Sequence, residues 1–362
     1  MKLYQGGSSR NPRVLHPASS ALRRLLHPLA LAVVGGHLLL LAAAWLVLRL
    51  YIPDTVVLSL FGHVHVVSEV HRRLIDRAVV AGMLAPGVFL VEYLWMGWGE
   101  SSVRHLLVQR TPSGRSDIVC FLASLAPPMT VLSAAMSLGV VFVSGEWLRL
   151  LIAHKTGLGM SIAPAPLAAQ TAILFLLYSL FDYWSHRLDH SRLFWPLHRF
   201  HHAAEDFSVL TAARTHPAVF TAVVGTTLPG LLLGAAPEAL ADLGILVITV
   251  RLLIHSRIES DFGWVGRWLI QSPRHHRLHH NLNRRPVNLA LTPVWDRLFG
   301  TWCEAPAGPL RIGVATPYRH GAWVWPDMWR DYCDFWKGVG RVAFGGRETT
   351  ANAPSVANEL QS

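Results

Sequence analysis

Charged side chains are scarce in this chain. Only 15% of its 362 residues are Asp, Glu, Lys or Arg, whereas 52% are hydrophobic. Soluble domains carry about 25% charged residues. The composition therefore argues against an ordinary soluble protein and predicts a membrane protein.

Cysteine is scarcer still, and familiar redox-cofactor motifs are missing. The chain has three cysteines, Cys120, Cys303 and Cys333, and they form no C-x-x-C pair. This spacing excludes a disulfide framework and a zinc ribbon. The sequence also has no G-x-G-x-x-G fingerprint on a strand-to-helix turn and no C-x-x-C-H haem motif. Any redox reaction must therefore take its electrons from an external donor.

Long apolar segments predict several membrane crossings. Pro28 to Leu48 carries only His37 as a strongly polar side chain, and a helix of this length can cross a hydrocarbon core of about 30 Å. A cleaved signal peptide is the alternative, since arginines precede the segment and Ala42 to Ala44 would suit cleavage. Further apolar segments follow at Ala78 to Trp98, Ile118 to Val143, Leu167 to Phe181, and Pro217 to Ile254. The last is long enough for a hairpin with its turn near Pro229, Gly230 and Pro237.

The net charge of +10 fits a membrane topology better than nucleic-acid binding. The basic residues are scattered through termini and loops instead of forming one stripe, so we expect no nucleic-acid partner. A cytoplasmic N-terminus returns to the cytoplasm after four crossings, at about Asp182. The polar region that follows is therefore expected on the cytoplasmic side of an inner membrane.

The chain is expected to be all-α: a multi-spanning transmembrane helical bundle with a cytoplasmic histidine-rich metal-binding cap. Strand-like alternation is weak throughout. We divide the chain into a basic N-terminal tail (1–27), N-terminal transmembrane helices (28–166), a catalytic region (167–304) and a C-terminal segment that ends in a flexible tail (305–362).

Histidine spacing is the strongest signal. Of the 20 histidines, 11 lie between His186 and His280. They form H-R-L-D-H, H-R-F-H-H and H-R-L-H-H clusters, whose members are His186, His190, His198, His201, His202, His276, His279 and His280. Residues three and four apart share a helix face, so each cluster can direct several imidazoles to one point. Eight such ligands exceed the four positions of one tetrahedral zinc, and two metals are the economical interpretation.

These motifs resemble the fatty acid hydroxylase and sterol desaturase superfamily of membrane di-iron enzymes. The resemblance runs from about Phe181 to Trp302 and includes D-Y-W-S-H-R-L-D-H, W-P-L-H-R-F-H-H, T-A-A-R-T-H-P, I-H-S, S-P-R-H-H-R-L-H-H and W-D-R-L-F-G-T. It implies that the eight clustered histidines bind two Fe ions, with His255 as a ninth ligand and His216 as a further candidate. Departures at Arg257 and after Asn288 leave the subfamily open.

Two further residues are expected near the metals. His275 precedes the third histidine motif and is placed behind the ligands or beside the substrate. Asp182 lies one helical turn before His186, where a carboxylate commonly holds the second imidazole nitrogen; a solvated aspartate is the alternative. Asp296 and Arg297 are expected to brace the turn near the end of the catalytic region.

The resemblance implies an oxidoreductase that uses O2 to oxidise a C–H bond of a lipid, with hydroxylation favoured over desaturation. The external electron donor would be a ferredoxin, a rubredoxin or a cytochrome. It would dock on a basic face, or that face would instead meet anionic lipid headgroups; its members are Arg257, Arg267, Arg274, Arg277, Arg284 and Arg285.

Two other classes of function stay open at this point. A membrane zinc hydrolase would need a carboxylate base beside the metal, and Glu205 is the candidate nearest to the clusters. A non-enzymatic metal carrier would place its histidines within the spanning segments. The clusters instead lie between or after those segments.

Overall fold

The computed structural model describes residues 17–60, 63–126, 161–219, 233–282 and 286–345, together with Leu132, Leu151, His154 and Lys155. Helices make up most of this part of the chain. The predicted all-α character is confirmed at that level.

Helices dominate the N-terminal half. They are α1 (Pro17–Leu25), α2 (Pro28–Tyr51), α3 (Asp76–Gly82), α4 (Leu84–Met96) and α5 (Pro112–Ser124). Helix α2 begins with Pro28 in its first turn and buries none of its residues, as expected of a helix whose apolar surface faces lipid.

The catalytic region and the segment after it contain seven described helices. They are α6 (Leu167–Asp189), α7 (Trp195–His202), α8 (Pro237–Ile254), α9 (Gly263–Trp268), α10 (Pro273–His279), α11 (Pro293–Leu298) and α12 (Trp325–Phe344).

Three helical stretches in the described residues are long and apolar enough to cross a membrane. They are Pro28–Tyr51, Asp76–Met96 and Leu167–Asp189, close to three of the predicted segments. Most of the predicted segment Ile118 to Val143 lies outside the described residues, as do Pro229 and Gly230 of the predicted hairpin. Pro237 stands in the first turn of α8, a position that suits proline because its missing N–H has no partner there.

A two-stranded hairpin was not expected. Strands β1 (Val56–Leu60) and β2 (His63–Val67) pair in antiparallel register, with Val57 opposite Val66. Valine favours extended backbone because its branched side chain packs well on a pleated surface. The alternation in H-V-H-V-V was the available signal.

Helices α6 and α8 pack side by side and carry the site at one end. Their contact is a buried apolar cluster that includes Leu174, Tyr178, Leu243, Val247 and Ile254. The end of α6 at Asp189 lies near the end of α8 at Ile254, which is followed by His255. This is where the first histidine cluster and His255 stand.

A buried carboxylate ties α4 to the chain that follows α8. Glu92 is fully buried and accepts hydrogen bonds from the hydroxyl and backbone N–H of Ser102 and from the backbone N–H of Arg257 at 2.6 Å. A buried carboxylate is tolerated only when its oxygens are satisfied in this way. Glu92 thereby fixes the chain two residues after His255.

Candidate metal centre

Four elements deliver nine histidines to one place. Helix α6 carries His186 and ends at His190, α7 carries His198, His201 and His202, His255 caps α8, and α10 carries His276 and His279 and ends at His280. The sequence places Pro196 and Pro273 in the first turns of α7 and α10, which starts each helix just before its histidines.

The nine histidines form two adjoining groups. One group comprises His186, His190, His198, His202 and His279, and the other comprises His201, His255, His276 and His280, each with ligand atoms within 4.8 Å of one another. The groups adjoin because the rings of His202 and His280 stack with centroids 4.1 Å apart. No carboxylate or cysteine belongs to either group in the residues described.

Each H-R-x-H-H motif is divided between the two groups. His198 and His202 face the first group, and His201, between them, faces the second. In a helix, residues four apart are offset by about 40°, whereas a residue three positions on lies about 60° to the other side. The motif around His276 divides in the opposite sense. Each motif therefore contributes histidines to both groups, which the sequence analysis did not predict.

Hydrogen bonds to Nδ1 fix the orientation of four of these rings. Carbonyl oxygens accept from the Nδ1–H groups of His186 (Leu289, 2.6 Å), His255 (Arg251, 2.7 Å) and His279 (Val287, 2.9 Å). The side-chain oxygen of Gln271 accepts from His276 Nδ1 at 3.0 Å. Because these oxygens only accept, Nδ1 carries the proton and Nε2 presents a lone pair.

The Nε2 atoms converge in a way that calls for a cation. Those of His255 and His276 lie 2.9 Å apart, although the proton of each neutral ring is on Nδ1. Two lone pairs at this distance repel each other, and a metal ion between such nitrogens removes the repulsion. The donor set therefore fits a bound metal.

Burial keeps the imidazoles neutral. It lowers the pKa of His198, His201, His202, His276, His279 and His280 well below the ordinary value, and neighbouring imidazoles lower it further. Burial also lowers the pKa of His255, to about 3. Metal binding requires neutral imidazole, so these residues need lose no proton to bind a metal at neutral pH.

Asp182 does not hold His186, contrary to expectation. Its carboxylate accepts from Arg251 at 2.7 Å and from the hydroxyl of Tyr178 at 3.2 Å. The carbonyl of Leu289 takes the predicted place behind His186. A backbone acceptor that is distant in sequence leaves no mark in a motif, which explains the error.

His216 is not brought to either group. Its Nε2 donates to the carbonyl of Met328 at 2.9 Å, and its Nδ1 accepts from the backbone N–H of Ala218 at 3.0 Å. Both ring nitrogens are used, so the geometry corrects the expectation that His216 is a ligand. The residue connects the T-H-P turn to α12.

His275 lies behind the ligand-bearing helix. Its Nδ1 is 2.7 Å from the hydroxyl of Ser272, and its Nε2 is 3.3 Å from Glu304. Its ring contacts Trp302, with centroids 4.6 Å apart. It therefore belongs to the packing behind α10, one of the two positions anticipated for it.

The predicted basic face is largely paired with acids. Arg267 contacts Asp261 and Glu304, and Glu259 accepts from both Arg274 and Arg277. Arg257 donates to backbone carbonyls, while Arg284 and Arg285 lie outside the described residues. These pairs weaken the argument for an acidic electron donor at this face.

Three supporting residues were missed in the sequence. Gln271, 1% exposed, orients His276. Phe207 packs against the second group, 4.9 Å from the ring of His280, and Trp195 packs against His190 and His202 of the first group at 5.2 Å. Such aromatic cover restricts the access of water to the ligands.

A cavity lies against the metal-facing histidines. One wall consists of clustered histidines, including His186, His198, His201, His255 and His276. Leu197, Val219, Ile254 and Leu291 form an apolar wall, and Asp182, Asp189 and Arg251 supply polar groups. The cavity therefore combines an apolar wall, polar side chains and the clustered histidines.

Comparison with known proteins agrees with this geometry. Residues 171–301 match the family model described as fatty acid hydroxylase. Human alkylglycerol monooxygenase is 26% identical over 162 residues, which cover 41% of this chain and 36% of that protein. The match thus spans about a third of the relative's length, and no solved structure matches. The names hydroxylase and monooxygenase support the prediction of an oxygen-dependent oxidoreductase. Both matches confirm the predicted resemblance to the fatty acid hydroxylase and sterol desaturase superfamily, and the family-model match covers all nine clustered histidines.

Proposed function

We propose that the chain is a membrane-bound di-iron oxygenase that hydroxylates a C–H bond of a lipid. The observation that carries this proposal is the pair of adjoining groups made only of histidine, with Nε2 lone pairs that converge inside each group. Two groups support two metals. Neutral imidazole binds several metals, and the match to a hydroxylase family favours iron among them.

The overall reaction needs an external reductant. Two iron ions held by the nine histidines would supply the redox chemistry, with the balance R–H + O2 + 2e⁻ + 2H⁺ → R–OH + H2O. The external donor, a ferredoxin, rubredoxin or cytochrome, delivers the two electrons. Loss of a second hydrogen would give an alkene instead, and we favour the alcohol because it requires no second hydrogen to be positioned.

The protein fixes the orientation of the histidine rings and limits the access of water to them. The carbonyls of Leu289, Arg251 and Val287 and the amide of Gln271 fix four rings before metal binds. Rigidly held ligands set the geometry of the metals. Phe207 and Trp195 cover the two groups, which restricts side reactions with water.

The cavity beside the ligands suits a lipid that carries a polar oxygen. Arg251 lines it, its side chain is 43% exposed, and one of its nitrogens is paired with Asp182. This pairing offsets the charge of the guanidinium, so the corner favours a neutral hydrogen-bonding group, such as a hydroxyl or ether oxygen, over an anion. The name of the human relative, alkylglycerol monooxygenase, refers to a lipid class that carries such oxygens.

The spanning helices support an integral membrane location. Three apolar stretches of sufficient length are present in the described residues, and the histidines lie at or beyond the ends of α6 and α8. We therefore propose a multi-pass protein with its metal site at the cytoplasmic face of an inner membrane.

The zinc-hydrolase and metal-carrier alternatives lose support. Glu205, the candidate base, is 68% exposed and pairs with His320 at 3.5 Å, so it is not directed at the metal-facing rings. A carrier would spread its ligands along a path, whereas nine histidines are gathered in two touching groups.

The proposal is tested by turnover with labelled oxygen. The full chain is reconstituted in nanodiscs with iron, a ferredoxin system and a 1-O-alkylglycerol, and the products are analysed for one ¹⁸O atom from ¹⁸O2. Arg251→Met should raise KM for this substrate more than it lowers kcat, because the ligands remain. An iron-loaded protein that consumes no O2 and oxidises none of a panel of sterols, fatty acyl lipids and alkylglycerols would count against the oxygenase.

A further inference from the structure

Helix α12 presents an aromatic face that the rest of the described fold does not cover. Trp325, Trp329 and Trp336 are exposed along it, and the half-buried Tyr332 beside them packs toward Leu197 and Phe335. The ring centroids of Trp329 and Tyr332 are 5.8 Å apart, and those of Tyr332 and Trp336 are 6.1 Å apart. Trp329 is 63% exposed and Trp336 is 38% exposed.

Hydrogen bonds attach the opposite face of α12 to α7, the helix that carries His198, His201 and His202. Asp331, fully buried, accepts from Arg199 at 2.7 and 2.9 Å and from the hydroxyl of Tyr318 at 2.6 Å. Asp334 accepts from the same guanidinium at 2.6 Å. Arg199 lies between His198 and His201 on α7, so α12 is anchored to the helix that carries three of the clustered histidines.

The contacts of the anchored face also indicate where α12 lies relative to the membrane. Met328 packs with Cys120, at the beginning of the apolar stretch that starts at Ile118. Phe335 packs with Ala218, next to Pro217, where the last predicted apolar stretch begins. Helix α12 therefore crosses two points at which the chain is expected to enter the membrane.

The composition of the outward side matches a lipid headgroup layer. Tryptophan and tyrosine prefer the membrane interface because their rings are apolar and their N–H and O–H groups are polar. Lys337, Arg341 and Phe344 are exposed near the end of the same helix. Long basic side chains can reach phosphates while their stems stay in apolar surroundings. Such a helix lies in the plane of the interface.

We propose that α12 docks on the phospholipid surface of the same membrane, with Trp329 and Trp336 in the headgroup layer. The docked helix contacts α7 through Arg199 and thereby holds the nine clustered histidines at a fixed distance from the bilayer. This inference rests on the contacts of α12 and on the proposed membrane location, and it does not depend on which metal or reaction the site uses.

The test measures the depth of a label at two positions. Cys120 is replaced by Ala, and Cys303 and Cys333 by Ser, in the full chain, and Trp329→Cys or the control Ala307→Cys is labelled with an environment-sensitive fluorophore. Ala307 is exposed in the segment between α11 and α12. In nanodiscs, nitroxide-labelled phosphatidylcholine should quench most of the fluorescence at position 329, and aqueous iodide should quench it several-fold less than at position 307.

Two results would overturn the proposal. Equal quenching by iodide at positions 329 and 307 would place α12 in water. Protection from both quenchers that disappears when each nanodisc holds one copy would show that a second copy of the chain covers the face. Trp336→Cys, on the same face, provides an independent label if the first variant does not fold.

Discussion

Replacing Gln271 by leucine would weaken one metal site and spare the other. The side-chain oxygen of Gln271 accepts from His276 Nδ1 at 3.0 Å, and His276 belongs to the second group only. Leucine has a similar volume but no acceptor, so the ring of His276 would be free to rotate and to change its tautomer. In the first group, backbone carbonyls hold His186 and His279 and would be unaffected.

The expected size of this effect follows from the role of Gln271. Loss of a hydrogen-bonding partner behind a metal-bound histidine typically costs about 10 to 100-fold in metal affinity. This corresponds to about 1.4 to 2.7 kcal/mol. The lost hydrogen bond from the Gln271 amide to the Asn288 carbonyl adds a penalty of about 1 kcal/mol that affects stability and not the metal directly.

The assay is an anaerobic Fe²⁺ titration against a chelator of known affinity. The wild-type chain should bind two ions, and Gln271→Leu should retain one ion at wild-type affinity while the other is released at 10 to 100-fold lower chelator concentration. Gln271→Glu, which keeps an acceptor for His276, should behave more like the wild type. Equal weakening of both ions, or of neither, would refute the division into two groups.

Three further predictions follow from the buried contacts. His279→Gln should reduce the bound iron, whereas His216→Gln, which alters an equally buried histidine with both nitrogens bonded to backbone, should leave it unchanged; elemental analysis of the two purified variants distinguishes these results. Burial lowers the pKa of His216 to about 4, so the unfolded chain takes up a proton first as the pH falls. The free energy of unfolding should then drop by about 3 kcal/mol between pH 6.5 and 4, and His216→Gln should show a correspondingly smaller drop in chemical denaturation. Arg199→Met leaves the buried Asp331 with Arg330, at 3.4 Å, as its remaining charged contact, which should cost about 3 kcal/mol, visible as a lower Tm, while Arg199→Lys should recover part of the loss.

The sequence predicted which histidines come together better than how their rings are oriented. Spacing of three and four identifies histidines that share a helix face, and this pattern survives any detail of packing. It does not reveal which residue stands behind each ring. The acceptor for His186 is the backbone carbonyl of Leu289. Every residue type has a backbone carbonyl, so this contact leaves no mark in the sequence, whereas the carboxylate of Asp182 does.

Two other differences have causes that the sequence motifs do not show. The T-H-P motif suggested His216 as a ligand, but the carbonyl of Met328 in α12 takes its Nε2, a contact set by packing between distant segments. The hairpin at Val56–Leu60 and His63–Val67 is short and lies next to a long apolar helix, so its period-two pattern was outweighed by the surrounding helical signal.

We propose that the two adjoining groups of histidines each hold one iron ion. The most direct measurement is the iron and zinc content per chain of the detergent-purified protein from iron-replete cells, with the protein quantified by amino-acid analysis. With one ion in each group, close to two iron ions per chain are expected. One zinc ion per chain, or no stoichiometric metal, would contradict it.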